Sequence, residues 1–143
     1  MATSGRHGQP LLVDTSVAVA LAASDHRDHL ATSEAVADRR LGLAGHAAFE
    51  TFSVLTRLPA PARRTPATVA RLLAASFPGT RFLSEQGAEA LLADLPAKGI
   101  AGGSVYDALV GAAAAEHRLP LATRDRRALD TYRALDVVIE LLA

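Results

Sequence analysis

Apolar and polar positions along this chain fall into a pattern that predicts short buried strands separated by helices. Leu11-Leu12-Val13 is a brief apolar run ending at Asp14, as expected of a strand buried on both faces. Thr15 and Ser16 stand where a helix cap belongs, and residues 17–23 continue as that helix. Residues 29–40 read as a helix with Leu30, Ala31, Ala35 and Val36 near one face, followed by Leu41-Gly42-Leu43 as a second strand. A helix opens at Gly45 or His46 and runs to Leu58. Pro59, Pro61 and Pro66 interrupt the chain, and Thr65-Pro66 starts a helix with proline at its first position. That helix stops at Phe77-Pro78-Gly79. Residues 80–84 are expected to be a strand, 85–93 a helix and 99–103 a turn. Residues 104–117 form the strongest helical stretch. Apolar strands at 119–122 and 137–141 then flank a helix at 126–135.

Short strands alternating with helices imply a parallel sheet covered on both faces, an α/β fold. A chain of 143 residues suits one domain, here 11–143, preceded by a loose tail at 1–10. Residues 25–80 are mainly helical and are expected to form an excursion on the sheet. In open parallel sheets, ligands bind beyond the carboxyl ends of the strands. That rule points to Asp14 and Asp125, each at or just past the end of a predicted strand.

Composition narrows the chemistry. With no cysteine, disulfides, thiol nucleophiles and cysteine-ligated zinc are excluded. No apolar run reaches the ~18 residues of a membrane span, and MATSGRHGQP lacks the apolar core of a signal peptide. A soluble cytoplasmic protein without membrane contact is expected. Fifteen basic and fifteen acidic residues cancel, so no global basic excess signals nucleic acid. Fourteen of the basic residues are arginine, mainly a mark of arginine-rich composition, although a local phosphate site stays open.

Four acids stand out. Taken singly, Asp14, Asp107 and Asp125 each read as helix caps, Asp107 in a capping-box pattern with Ser104. Glu50 resists that reading, because it sits mid-helix among bulky apolar residues in AAFETF. If these acids converge, they repel one another and raise each other's pKa, and a hard divalent cation resolves the conflict. Oxygen donors without cysteine favour Mg²⁺ or Mn²⁺ over Zn²⁺. Other chemistries lack their marks. DTSVAVA has no glycine for a phosphate-binding loop, no G-x-S-x-G is present, and Ser16 replaces the second aspartate of a haloacid-dehalogenase-type phosphatase.

The blocks LLVDTSVAVALAA, HAAFETFSVLTRL and GGSVYDALVGAAAAEHRLPLATRDRRALDTY resemble the PIN-domain ribonucleases, and among them the VapC toxins of toxin–antitoxin pairs. The blocks occur in the family's order and span most of 11–133; the first and last are the specific ones. The resemblance implies a PIN-like three-layer α/β/α domain with a short parallel sheet. It also implies a metal-dependent endoribonuclease in which Asp14, Glu50, Asp107 and Asp125 hold Mg²⁺ or Mn²⁺. Thr15 or Ser16 matches the small hydroxyl that follows the first aspartate. A homodimer and a cognate antitoxin resembling VapB are implied as partners, with RNA as substrate. The alternatives are a PIN nuclease of RNA processing and a non-catalytic PIN module that binds RNA or protein. The chain's small size favours the toxin, and all four acids are present. Arg124 is expected to bind substrate phosphate beside Asp125, while Arg127 reads as the solvated start of the last helix. His26 and His29 are expected to be surface or turn residues. Leu30, Val36, Phe52, Leu55, Val69 and Leu72 are the apolar positions available for core or for an antitoxin helix. Replacing Asp14 or Asp107 by Asn is expected to abolish cleavage and leave folding intact or improved.

Overall fold

The computed structural model describes residues 6–143. Four short strands, β1 (Pro10–Val13), β2 (Arg40–Leu43), β3 (Leu121–Thr123) and β4 (Ile139–Leu141), form one parallel sheet in the order β2-β1-β3-β4. The helices are α1 (Thr15–Ala22), α2 (His29–Ala35), α3 (Ala47–Thr56), α4 (Pro66–Ser76), α5 (Glu85–Asp94), α6 (Ser104–His117) and α7 (Leu129–Ala134). Successive strand residues face opposite sides of a sheet. Leu11 and Val13 accordingly pack with Val17, Ala18, Val36 and Phe77 on one face. Leu12 packs with Ala47, Val110, Ala114 and Tyr132 on the other. Burial on both faces explains why β1 is an unbroken apolar run; each such Leu or Val contributes roughly 1.5–3 kcal/mol when fully buried. The result is the expected three-layer α/β/α arrangement.

The chain moves from β1 out to β2, then returns past β1 to β3. The strand order therefore reverses at β1, and a ligand crevice belongs at the carboxyl ends of β1 and β3. Asp14 follows one of those ends and Asp125 the other.

Several elements differ from the sequence pattern. The cap of α1 is Asp14, whose carboxylate accepts from the Val17 amide, while Thr15 and Ser16 are the first helical residues. Helix α2 ends at Ala35 rather than Arg40, because Asp38 turns the chain at φ 68° before it enters β2. Residues 80–84 form no strand; Arg81 makes a single parallel bridge to Ala44. The Thr80 hydroxyl accepts from the Leu43 amide at 3.0 Å, taking the donor that a continuing strand would have paired. The segment 126–135 splits into a 3₁₀ turn, Arg126–Ala128, and α7. Residues 25–80 also supply β2, so part of that stretch lies in the sheet itself. Of its apolar positions, Val36, Leu55 and Val69 are core, whereas Leu30 is 74% exposed. The first five residues of the expected tail lie outside the described residues, and Pro10 already belongs to β1. Among the described residues, no helix is long and apolar enough to cross a membrane.

Arg39, at the entry to β2, reaches Glu140 of β4 through two bonds of 3.0 Å. These are the two edge strands, so the pair ties the sheet's margins together. The Arg39 bond holds the Glu140 carboxyl below its usual range against a smaller opposing effect of burial. A depressed carboxyl stabilises the fold above its unfolded value, 4.5, and loses that contribution as pH falls through the folded value. Glu140→Gln is therefore expected to melt below wild type at pH 7 and to converge with it in acid. Melting curves between pH 7 and 3 check this; a constant gap across the range would contradict it.

Candidate active site

Asp14, Glu50, Asp107 and Asp125 line a single cavity of about 220 Å³ at the carboxyl ends of β1 and β3, together with Thr15 and Ser16. Val110 and Tyr132 complete its wall. All four acids come from different parts of the chain, and the local reasons for their placement differ. Asp14 caps α1. Asp107 stands in the first turn of α6, and Glu50 stands in the first turn of α3 rather than in mid-helix, because α3 begins only at Ala47. Asp107 is not part of a capping box: Ser104 is already helical, the cap is Gly103, and no side chain bonds there. Its carboxylate is thus left to the cavity. Asp125 caps the 3₁₀ turn by accepting from the Arg127 amide at 3.0 Å. Three helix N-termini, those of α1, α3 and α6, therefore meet at the acids, and their positive ends favour the negative charge.

Asp14 is 4% exposed, and its two oxygens collect four donors. Oδ1 accepts from the Ser16 hydroxyl at 2.6 Å and from the Val17 amide at 3.2 Å. Oδ2 accepts from Thr123 at 2.5 Å and from the Tyr132 hydroxyl at 2.9 Å. Burial pushes the Asp14 carboxyl up, and these bonds pull it back. Tyr132 is itself driven far above the usual phenol range by burial and by Asp14, so it stays protonated and donates. Burial also raises Asp107, and repulsion from Asp125, Glu50 and Asp14 raises it further, with Arg127 acting in the opposite sense. The Thr15 hydroxyl donates to Glu50 at 3.1 Å.

Both hydroxyls expected to meet substrate thus line the cavity while holding an acid in place. Ser16 also accepts from the Arg124 amide at 2.9 Å, joining α1 to the end of β3. The Arg124 side chain is elsewhere: its guanidinium pairs with Asp28 at 2.9 Å, and it is not among the cavity's residues. The guanidinium beside the acids is that of Arg127, 94% exposed and 3.4 Å from Asp125. His29 bonds the Ala20 carbonyl and His26 accepts from the Asp28 amide, so neither faces the cavity. Thr123 and Tyr132 escaped the sequence reading. Thr123 carried a signal, lying two residues before Asp125 on the strand that pairs with β1. Tyr132 reads from sequence only as a core aromatic.

Four carboxylates in one cavity, with no cation in its lining, form a hard oxygen donor set of unbalanced charge. Among the described residues, no three His, Asp or Glu side chains are arranged to hold a metal ion as they stand. Asp14 meanwhile accepts from four internal donors. The repulsion that raises Asp107 is nevertheless what a bound divalent cation would relieve, so the donor chemistry fits such an ion.

Residues 11–134 match the family model described as PIN domain. The chain is 49% identical over 134 residues to Ribonuclease VapC27 of Mycobacterium tuberculosis, spanning 94% of this chain and 98% of that protein. It is 42% identical over 131 residues to Ribonuclease VapC40 of the same species, spanning 90% and 96%. In fold it is similar to VapBC2 from Rickettsia felis bound to a DNA fragment from their promoter, with TM-score 0.67, 13% identity and coverage of 94% and 100%. It is also similar to Mycobacterium tuberculosis VapC20, a sarcin–ricin-loop-cleaving toxin, with TM-score 0.59, 19% identity and coverage of 76% and 84%.

Proposed function

The chain belongs to the PIN-domain family, and from that premise we propose that it is an endoribonuclease acting as the toxin of a toxin–antitoxin pair. The observation that carries the reading is the meeting of Asp14, Glu50, Asp107 and Asp125 in one cavity at the switch point of the sheet. The likeness to proteins named as ribonucleases supports RNA as the substrate. A VapB-like antitoxin is the partner this reading calls for, as the name of the Rickettsia felis pair suggests.

Glu50, Asp107, Asp125 and Asp14 would hold Mg²⁺ or Mn²⁺. When bound, such an ion offsets the carboxylates' charge and polarises the phosphate. The chain's own residues prepare that surface. Thr15 fixes the Glu50 carboxylate, and Ser16, Thr123 and Tyr132 fix that of Asp14. Arg127 presents an exposed guanidinium beside Asp125, where it meets an incoming phosphate oxygen.

Cleavage of RNA by the purified chain is measured with Mg²⁺, with Mn²⁺ and with EDTA. The expected result is cleavage that EDTA abolishes and excess metal restores. Undiminished cleavage in EDTA contradicts the metal site, and no cleavage with either ion contradicts the nuclease. Co-purification with a cognate VapB-like antitoxin should silence the activity; unchanged cleavage in that complex contradicts the toxin role.

A further inference from the structure

A second cavity, of about 210 Å³, is lined by rings where the first is lined by acids; His46, Phe49 and Phe82 are among its walls. Phe49, Phe82 and Tyr106 are 65%, 53% and 53% exposed. The chain has only four Phe, two Tyr and no Trp, so half of its Phe and Tyr rings stand exposed in this one group. The rings adjoin one another. His46 stacks on Tyr106 with centroids 5.3 Å apart and planes inclined by 26°. Phe49 lies 6.4 Å from His46 and 6.0 Å from Phe82. Exposed apolar surface gathered in one place marks a binding surface.

Its position ties it to the acids. Phe49 precedes Glu50, Tyr106 precedes Asp107, and His46 lies one turn before Glu50. Ring group and acidic cavity therefore share the start of α3 and of α6. We propose that these rings form a shelf on which a base of single-stranded RNA stacks, next to the phosphate at the acids. The proposal rests on the reading of the chain as a ribonuclease.

Three observations favour RNA as the occupant. A polynucleotide longer than the acidic cavity has to cross the surface beside it, and the shelf begins one residue from two of the acids. His46 and Tyr106 already stack on one another with Tyr106 half exposed, and base–aromatic stacking tolerates any base. Arg81, the neighbour of Phe82, is exposed and bonds only the carbonyls of Gly79 and Thr80. No acid among the described residues neutralises it, which leaves a cation for backbone phosphate at the rim of the shelf. A second copy of this chain is the competing occupant.

The test uses the full chain carrying Asp107→Asn, so that RNA binds uncut, and a single-stranded oligoribonucleotide containing 2-aminopurine. Fluorescence is followed at several salt concentrations, with sedimentation at the same protein concentrations. Adding Phe49→Ala or Tyr106→Ala should weaken binding about tenfold and reduce the quenching of 2-aminopurine by stacking. The salt slope should not change, because the rings neutralise no phosphate. Phe49→Tyr and Tyr106→Phe should bind as the parent does, and so should Leu92→Ala, a change at another exposed apolar residue on α5. If the ring variants bind RNA like the parent while the chain without Asp107→Asn cleaves RNA, the shelf is wrong and the nuclease stands. Unchanged RNA affinity with a smaller sedimenting mass assigns the rings to a second copy and also overturns the shelf. A chain that neither binds nor cleaves RNA removes the shelf together with the nuclease.

Discussion

Asp107→Asn is expected to lower RNA cleavage by about 10²–10³ or more and, at the same time, to raise the melting temperature at pH 7. The loss follows from removing one charged group of a site that works by electrostatic preorganisation. The gain follows from the same charge. Asp107 is raised by burial and then by Asp125, Glu50 and Asp14, so its ionised form costs the folded state stability. For a raised carboxyl, stability is greatest below the unfolded value of 3.8 and is lost as pH rises through the folded value. The Asn variant lacks that loss. Its advantage should be a few degrees at pH 7 and should vanish in acid. Equal melting at all pH values would contradict the cost of the buried and crowded charge, and full activity would contradict the site. Asp14→Asn should differ. An amide keeps one oxygen acceptor, but its nitrogen cannot accept from the donors that meet on Asp14, namely Ser16, Val17, Thr123 and Tyr132. Activity should be lost without any gain in stability, which narrows the intact-or-improved folding expected from the sequence.

Gly42→Ala should destabilise the fold by about 2–3 kcal/mol, the upper end for overpacking. Gly42 lies in β2, and a Cβ there would stand 2.1 Å from the Gly79 carbonyl oxygen and 2.6 Å from the Thr80 nitrogen. Both are backbone atoms, so no side chain can swing aside. The segment is also pinned, with the Gly79 amide bonded to Leu41 and the Arg81 amide to Leu43. The alanine has to push that strap off the sheet edge. Gly79→Ala is the milder comparison, since its nearest contact is 3.1 Å. Urea unfolding of both variants measures the difference; a Gly42→Ala chain within about 0.5 kcal/mol of wild type would show that the strap yields freely.

Strands and helices were legible in the sequence where one local pattern dominates. Leu11-Leu12-Val13 announced β1, Thr65-Pro66 announced the start of α4, and 104–117 announced α6 end to end. The misreadings have two causes: a partner distant in sequence, or a local turn or cap displaced by a few residues, as at Asp38 and Asp14. Residues 80–84 have strand-like composition, yet the Thr80 hydroxyl occupies the Leu43 amide. Ser104 looks like a cap, yet the chain is already helical there. The acids were legible as residues, because three mark handovers from strand to helix or the start of a helix and Glu50 had no structural excuse. Their common cavity was not, since it depends on β1 and β3 being neighbours. Arg124 illustrates the limit most clearly. Its place between Thr123 and Asp125 suggested phosphate, but Asp28 holds it.

We propose that these carboxylates, which share one cavity, form a centre that cleaves RNA by attack of water on phosphorus. The ends of the RNA products report which oxygen attacked, so the most direct measurement is end-group analysis of RNA cut by the wild-type chain in Mg²⁺ or Mn²⁺. The account predicts 5′-phosphate and 3′-hydroxyl ends, whereas 2′,3′-cyclic phosphate ends would contradict it.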